Sequence, residues 1–575
     1  MTQLKASKRV ATNSRPHSWM RAWPMATLAF GVFVFGLLAS DFEPAQAQEA
    51  KTKQRVPFAD KKGYAPKSKN LPVAESLTKG QKIVADQLTK LIDQEINKRL
   101  QAEKVKPAGK CSDEEFIRRV YLDIVGTIPS ADKVKAFLDS KEKDKRSKLI
   151  DELLADARFG HTIAESWAIM MIPRESNNRA LRQQPFEKWL ADSFNKGKPL
   201  DKIVYDLVTT TGPIDENPAG TYFVANPTVD KITDNVTRMF LGVQLQCAQC
   251  HNHPFTDWKQ TEYWAMASFF MKTRVQGTAK GAAKGGATPT VSETAKAAKG
   301  KKGGLPESAK IVPAKFLQGE QPRISGVEMR PTLAKWMTSK DNKFFARAMV
   351  NRFWYQAFGR GLVNPVDDMH DDNAATHPEL LATLTEQFKL NNFDTKYLVR
   401  AICNSDAYQR TSVSKDDAAS VDVDLYSRRE LRVLNPEQLY DSLATVLGPA
   451  ARGEAKNKAA KKGGPITPRD NFIAFFRVED ANPLEYQNGI PQALRLMNSP
   501  FTGKAEAIAA GITKEAKNPT DAIERIYLSA LSRRPTAIET QRLAAYVNRP
   551  GATARVAYGD ILWALLNSSE FMHNH

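Results

Sequence analysis

Apolar residues recur along most of this chain at steps of three and four, and clear runs at steps of two are few. Ile83, Val84, Leu88, Leu91, Ile92, Ile96 and Leu100 make one series, Leu149, Ile150, Leu153 and Leu154 a second, and Ile523, Ile526, Tyr527, Ala530 and Leu531 a third. Steps of three or four return to one face of an α-helix, whereas a strand alternates at two. The fold class expected is mainly α, with at most a few short strands. The punctuation agrees. In FIRRVYLDIVGTIPS, Gly126 and Pro129 end one helix and Ser130 caps the next. Thr376-His377-Pro378-Glu379 reads as a capping box opening PELLATLTEQFKL, and Thr536 with Glu539 repeats the device. Helices are also expected over 186–210 and 230–246 and in DWKQTEYWAMASFFMK, and Gly359-Arg360-Gly361 reads as a helix-ending turn.

A chain of 575 residues is too long for one ordinary core. Two tracts break the helical pattern. Residues 274–310 hold eight Lys/Arg and two Glu among Gly and Ala, and residues 450–464 hold five Lys/Arg and one Glu. The expected layout is two helical domains, 75–273 and 319–575, joined by a disordered Lys/Gly/Ala-rich insert at 274–318, with a second insert at 449–466. The N-terminus reads differently. Lys5, Lys8, Arg9, Arg15 and Arg21 precede MATLAFGVFVFGLLA, and Ala45-Gln46-Ala47 follows as a small-x-small cleavage pattern. That order predicts a signal peptide over 1–47, then a polar linker over 48–74. The apolar run is shorter than the roughly 20 residues of a membrane-spanning helix. Export to the periplasm or cell surface is expected, with no transmembrane span after cleavage.

The net charge is +19, and removing residues 1–47 leaves +16. Ten of those sixteen lie in the two basic tracts, which carry no aromatic to stack on a base. This argues against nucleic acid as a partner. The tracts read as solvated inserts, or as patches for an anionic surface.

Two of the four cysteines stand in CAQCHNH, residues 247–253. C-x-x-C-H is the spacing of covalent haem c attachment, with Cys247 and Cys250 as thioether anchors and His251 as the iron ligand. Met266, Met271 and Met369 are candidate second axial ligands, and Trp258, Tyr263, Trp264, Phe269 and Phe270 candidate pocket walls. Other readings stay open. Cys247, Cys250, His251 and His253 could bind zinc, more comfortably with His370 or His377 from elsewhere. An exported C-x-x-C could close as a disulfide, or the stretch could be plain packing with no cofactor.

A second dense stretch is VDDMHDDNAATHPEL, where Asp367, Asp368, His370 and Asp371 crowd together with Asp372, and His377 follows. Such carboxylates suit Ca²⁺, or a His–carboxylate acid/base pair of an unrecognised hydrolase. They also suit a solvated loop before a helix N-terminus. Upstream, Arg347, Arg352 and Arg360 alternate with Phe353, Trp354, Tyr355 and Phe358. These arginines are expected to pair with the acidic loop or to recognise a carboxylate or sulfate. G-x-S-x-G, P-loop and HExxH motifs are absent from the sequence, so no catalytic class follows.

RRVYLDIVGTIPS, FLGVQLQCAQCHNHPFTDWKQTEYWAMASFF, MVNRFWYQAFGRGLVNPVDD and HPELLATLTEQF together resemble a family of exported planctomycete proteins. In it a cytochrome-like domain of unknown function 1549 and a domain of unknown function 1553 occur in tandem. The likeness covers about 80–272 and 320–573. It implies a cytochrome-like first domain around Cys247, Cys250, His251, His253 and Pro254. It further implies exported redox or polysaccharide-degrading proteins as partners. The chain departs from the family in lacking an added cytochrome c domain and in carrying the basic insert. Two functions are therefore expected in competition. One is a c-type haem protein with an electron-transfer or redox role. The other is a non-haem periplasmic binding or scaffold protein linked to polysaccharide breakdown, with the Cys/His cluster as a metal site or disulfide.

Overall fold

The first apolar series becomes helix α1, Ala85–Ala102, which buries Leu88, Ile92, Ile96 and Leu100. Val84 lies just outside it and faces solvent. A computed structural model describes residues 74–172, 183–277, 288–295, 305, 307–324, 328–413, 423–448, 467–476, 494, 496–498, 504–551 and 553–575. The expected signal peptide, nearly all of the expected linker and the insert 449–466 lie outside the described residues.

Helix α2, Asp113–Val125, starts where Ser112 Oγ accepts the Glu115 N–H and stops at Gly126, whose φ is 73°. A side chain there would also meet Thr162 Oγ1 at 2.9 Å, so glycine is needed twice over. Ser130 caps α3, Ala131–Asp139, as expected. There follow α4 (Lys145–Ala155), α5 (Ala157–Met171), α6 (Gln183–Asn195), α7 (Leu200–Thr209), α8 (Thr221–Ala225) and α9 (Val229–Val236). The chain then runs through a π turn, Thr237–Leu241, and a 3₁₀ turn, Gln246–Gln249, to α10, Gln260–Ala267.

The second half contributes α11 (Met329–Met337), α12 (Phe345–Phe358), α13 (Pro378–Leu390), α14 (Thr395–Asn404), α15 (Pro436–Leu447) and α16 (Pro468–Phe476). It closes with α17 (Ala505–Ile512), α18 (Pro519–Leu531), α19 (Ala537–Val547), α20 (Ala554–Leu566) and the short α21 (Ser569–Met572). Thr536 and Glu539 form the expected capping box of α19. The other box does not form. His377, not Thr376, is the N-cap of α13, and its side chain makes no cap bond. Pro378 takes the first helical position, which shifts Glu379 one place too early to reach back.

Strands are few, as expected. β1 (Gly212–Pro213), β2 (Thr273–Gln276) and β3 (Thr290–Glu293) form an antiparallel sheet in the order β1-β3-β2, with Val275 opposite Val291. β4 (Arg432–Val433) pairs with β5 (His573–Asn574). The small sheet corrects one expectation. The segment expected to be a disordered insert, 274–318, contains β3, and Leu305, Ala314, Phe316 and Leu317 within it are buried. Glu293 of β3 pairs at 3.2 Å with the fully buried Arg330. The overall Lys/Gly/Ala composition masked the lone apolar Val291 of TVSE and the apolar residues of KIVPAKFL. The Lys-rich parts at 278–287 and 296–304 lie outside the described residues.

One large apolar core takes residues from Ala85 to Val291 and from Leu305 to Tyr426. A smaller one gathers residues of α15 to α21, and Leu122 and Ile128 reach into it from the first half. Among the described residues, no helix is long and apolar enough to cross a membrane.

Candidate functional site

Gly242 ends the π turn with φ 67°, and a side chain there would meet Ala348 Cβ at 3.1 Å and Met369 Sδ at 3.2 Å. This close approach sets the following turn against the second half of the chain. Ala248 is buried under the 3₁₀ turn, while Cys247 and Cys250 are exposed. Helix α10 clamps the turn. Trp264 Nε1 donates to Gln249 O at 3.0 Å, and Gln260 Nε2 donates to Cys250 O at 2.9 Å.

The two histidines are held in opposite ways. His251 Nδ1 lies 2.6 Å from Asn252 O, and a carbonyl only accepts, so Nδ1 carries the proton. Nε2 of the neutral ring then keeps its lone pair. His253 Nδ1 instead accepts the Phe255 and Thr256 N–H groups at 3.2 and 3.1 Å, so its proton sits on Nε2. Burial pushes the His253 pKa down, with Asp368 opposing and His370 and His251 reinforcing the shift.

Those neighbours bring the two dense sequence stretches together. Asp367 receives Arg238 Nη2 at 2.7 Å and Gln244 Nε2 at 3.0 Å. Met369 N–H donates to Gly242 O at 2.9 Å. The acidic loop is thereby seated on the segment that leads into CAQCH. Within it, His370 Nε2 stands 3.6 Å from Asp368 Oδ2, and Asp372 N–H donates to His370 Nδ1 at 3.3 Å.

Several of the expected site residues are buried or already paired. Met266, Met271 and Met369 are 0%, 3% and 3% exposed and are packed in the core. Trp258, Tyr263, Trp264, Phe269 and Phe270 are buried in the core. Arg352 is committed to the Met239 and Arg238 carbonyls at 2.9 and 2.7 Å, and burial pushes its pKa down to about 10. Arg360 pairs with Asp424. Asp371 of the acidic loop offsets part of the effect of burial on Arg347, as Asp367 does for Arg352. His377 faces Tyr426 and does not join the cluster. Among the described residues no three His, Cys, Asp or Glu side chains are grouped to hold a metal ion. The two thiols are not joined to each other.

Cys247, Cys250 and His251 are the residues that would hold a haem. Both thiols stand exposed three residues apart on one turn, and the next residue offers a free Nε2. Sequence spacing located the two stretches but not their contact, because the contact depends on Gly242 and Met369, which carry no chemical signature of their own.

Comparison with known proteins bears on this site. Residues 91–275, which include CAQCHNH, match the family model PSCyt2, described as a protein of unknown function (DUF1549). Residues 329–465, which include the acidic loop, match PSD1, described as a protein of unknown function (DUF1553). The second match ends well short of the 573 expected from sequence likeness. No curated protein and no solved structure matches the chain. The chain thus carries a DUF1549 region and a DUF1553 region in tandem, and the candidate site lies where the two regions meet.

Proposed function

We propose that this chain is an exported c-type haem protein that takes part in one-electron transfer. The observation that carries the reading is the exposed turn: Cys247 and Cys250 side by side, followed by an imidazole whose Nδ1 is tied back and whose Nε2 is left for a metal. Cys247 and Cys250 would hold the porphyrin through thioethers and His251 would bind the iron. A bound haem supplies a centre that accepts and returns one electron. The Trp264 and Gln260 hydrogen bonds keep the turn in shape, and the Asn252 carbonyl orients His251, as outer partners of metal-binding histidines do.

The test is expression with the N-terminal segment in a host that matures c-type cytochromes. The denatured chain is expected to keep haem absorbance, and the double change Cys247→Ala with Cys250→Ala to abolish covalent attachment while the fold survives. A colourless chain from that host removes the reading, and metal analysis with thiol counting then separates zinc from a disulfide.

A second reading, a binding or scaffold protein in polysaccharide breakdown, draws on a different place. A cleft of about 620 Å³ between α7 and α11 is lined by Tyr205, Phe316, Thr332, Lys335 and Trp336. Phe269, Phe316 and Trp336 stack at 5.4 and 4.8 Å, which holds the indole rigid beside hydroxyl and charged groups. An aromatic face with polar neighbours suits a sugar ring.

A further inference from the structure

The cleft between α7 and α11 is built from residues that neither family region holds by itself. Tyr205 belongs to α7 in the first region, Thr332, Lys335 and Trp336 to α11 in the second, and Phe316 to the segment between the two matches. Its walls are fastened to each other. Arg330, at the start of α11, is fully buried and donates to the Val208 and Thr210 carbonyls at 3.2 and 2.8 Å, where α7 ends. Its guanidinium lies over the Phe223 ring, 4.7 Å from the centroid, and pairs with Glu293 of β3. Phe316 is held from the other side. The Lys315 N–H donates to Ala265 O at 3.2 Å, and Ser268 Oγ donates to Val312 O at 2.7 Å. Phe269 and Phe316 lie 7° from parallel, and Phe316 and Trp336 4°. Trp336 ends this stack and is half-buried on the cleft.

The polar groups around the indole are available to a ligand. Among the described residues, no hydrogen bond or ion pair engages the Tyr205 hydroxyl, Trp336 Nε1, Lys335 Nζ or the Glu328 carboxylate. Thr332 Oγ1 donates to Glu328 O at 2.6 Å and can still accept. Donors and acceptors thus surround one flat apolar face. The charged lining is one ammonium and one carboxylate, so the cleft carries no net charge and favours an uncharged ligand. Resting on the reading of this chain as a binding protein for polysaccharide, we propose that the cleft is a subsite for an uncharged pyranose unit of a glycan. The C–H face of the sugar lies on Trp336, against the negative face of the ring. Its hydroxyls, which both donate and accept, bond Tyr205, Thr332, Lys335 and Glu328. A purely aromatic ligand would cover the indole and leave those polar groups unmatched. The volume of about 620 Å³ suits a small ligand. Walls fixed in advance lower the ordering cost of binding, and the subsite exists only where both regions are folded together.

The experiment is calorimetric titration of the full-length chain with cellohexaose and mannohexaose as uncharged probes, and with oligogalacturonate and a sulfated oligosaccharide as charged ones. An uncharged probe is expected to bind, to change the tryptophan fluorescence, and to keep its affinity from low to high salt. Trp336→Ala is expected to weaken that binding by about tenfold or more. Tyr205→Phe and Glu328→Gln leave the aromatic stack in place and are each expected to weaken it by about three- to tenfold, with the melting temperature unchanged. Binding of the charged probes alone, or uncharged binding that none of the three variants weakens, overturns the assignment while leaving the polysaccharide reading intact. Absence of binding by every probe defeats that reading together with the assignment.

Discussion

His377 shows how burial reassigns a residue that the sequence offers as a ligand. Only 4% of it is exposed, its ring tilts on Tyr426 with centroids 5.6 Å apart, and Nδ1 lies 3.0 Å from Thr376 Oγ1. Burial, then the charge of Arg99, pushes its pKa down to about 4. An unfolded chain holds that proton near the ordinary value of about 6.5. Between those two pH values the unfolded state binds more protons, so stability falls as pH drops from about 6.5 to about 4. The size of the effect is at most on the order of 3 kcal/mol for a shift of this kind. His377→Asn places a polar, non-titrating side chain at the N-cap position of α13 and so removes the titration. Urea denaturation across that pH range is expected to show a shallower loss for the variant. Parallel curves for the two proteins would show that His377 is not the group responsible.

Helix ends show how far local chemistry could be read ahead. Thr536 Oγ1 accepts the Glu539 N–H at 3.2 Å, and Glu539 Oε2 takes the Thr536 N–H at 2.7 Å. Thr536→Ala removes one side of that exchange and is expected to cost about 1 kcal/mol, read as a drop in the denaturation midpoint with unchanged slope. Thr376→Ala should show no such capping loss, because Thr376 Oγ1 bonds Leu362 O at 3.3 Å and lies outside the helix. The two threonines look alike in sequence. They differ because Pro378 takes the first helical position, so that His377 and not Thr376 becomes the N-cap of α13. The same division holds at the candidate site. CAQCHNH and the acidic loop are conspicuous in sequence, and Gly359 announces the end of α12 with φ 76°. Three features were hidden: which side of the turn faces solvent, that Arg352 is spent on carbonyls, and that β3 lies inside a Lys/Gly/Ala-rich tract. Each depends on partners more than 10 residues away, and apolar periodicity reports only the face a residue shares with its own helix.

At the scale of the whole molecule, the two family regions are one folding problem. The RRVYLD stretch of α2 is the clearest case. Arg118 is fully buried and donates to Ala530 O at 3.2 Å and Phe571 O at 2.7 Å. Arg119 donates to Tyr408 O at 2.7 Å and Arg410 O at 2.9 Å. Asp123 accepts from Arg429 at 3.0 Å, from the Tyr408 hydroxyl at 2.8 Å, from Asn574 at 2.8 Å, and from Arg432. Trp167 of α5 packs against Phe353 of α12, 6.3 Å between centroids. A fragment covering 75–273 would keep Arg118, Arg119 and Asp123 but lose every one of those partners. Leaving one partner of a buried charged pair alone costs roughly 3–5 kcal/mol, and a typical domain has only about 5–15 kcal/mol in total. The apolar face shared with α12 to α14 would be exposed as well. The fragment is therefore expected to lack a cooperative thermal transition and to bind a hydrophobic dye, while the full chain melts with its first-half and second-half tryptophans changing together. A fragment that melts cooperatively with dispersed amide resonances would show that the first region holds its own core. It would then also fold its CAQCHNH turn without the acidic loop that Asp367 and Met369 seat on residues 238–244.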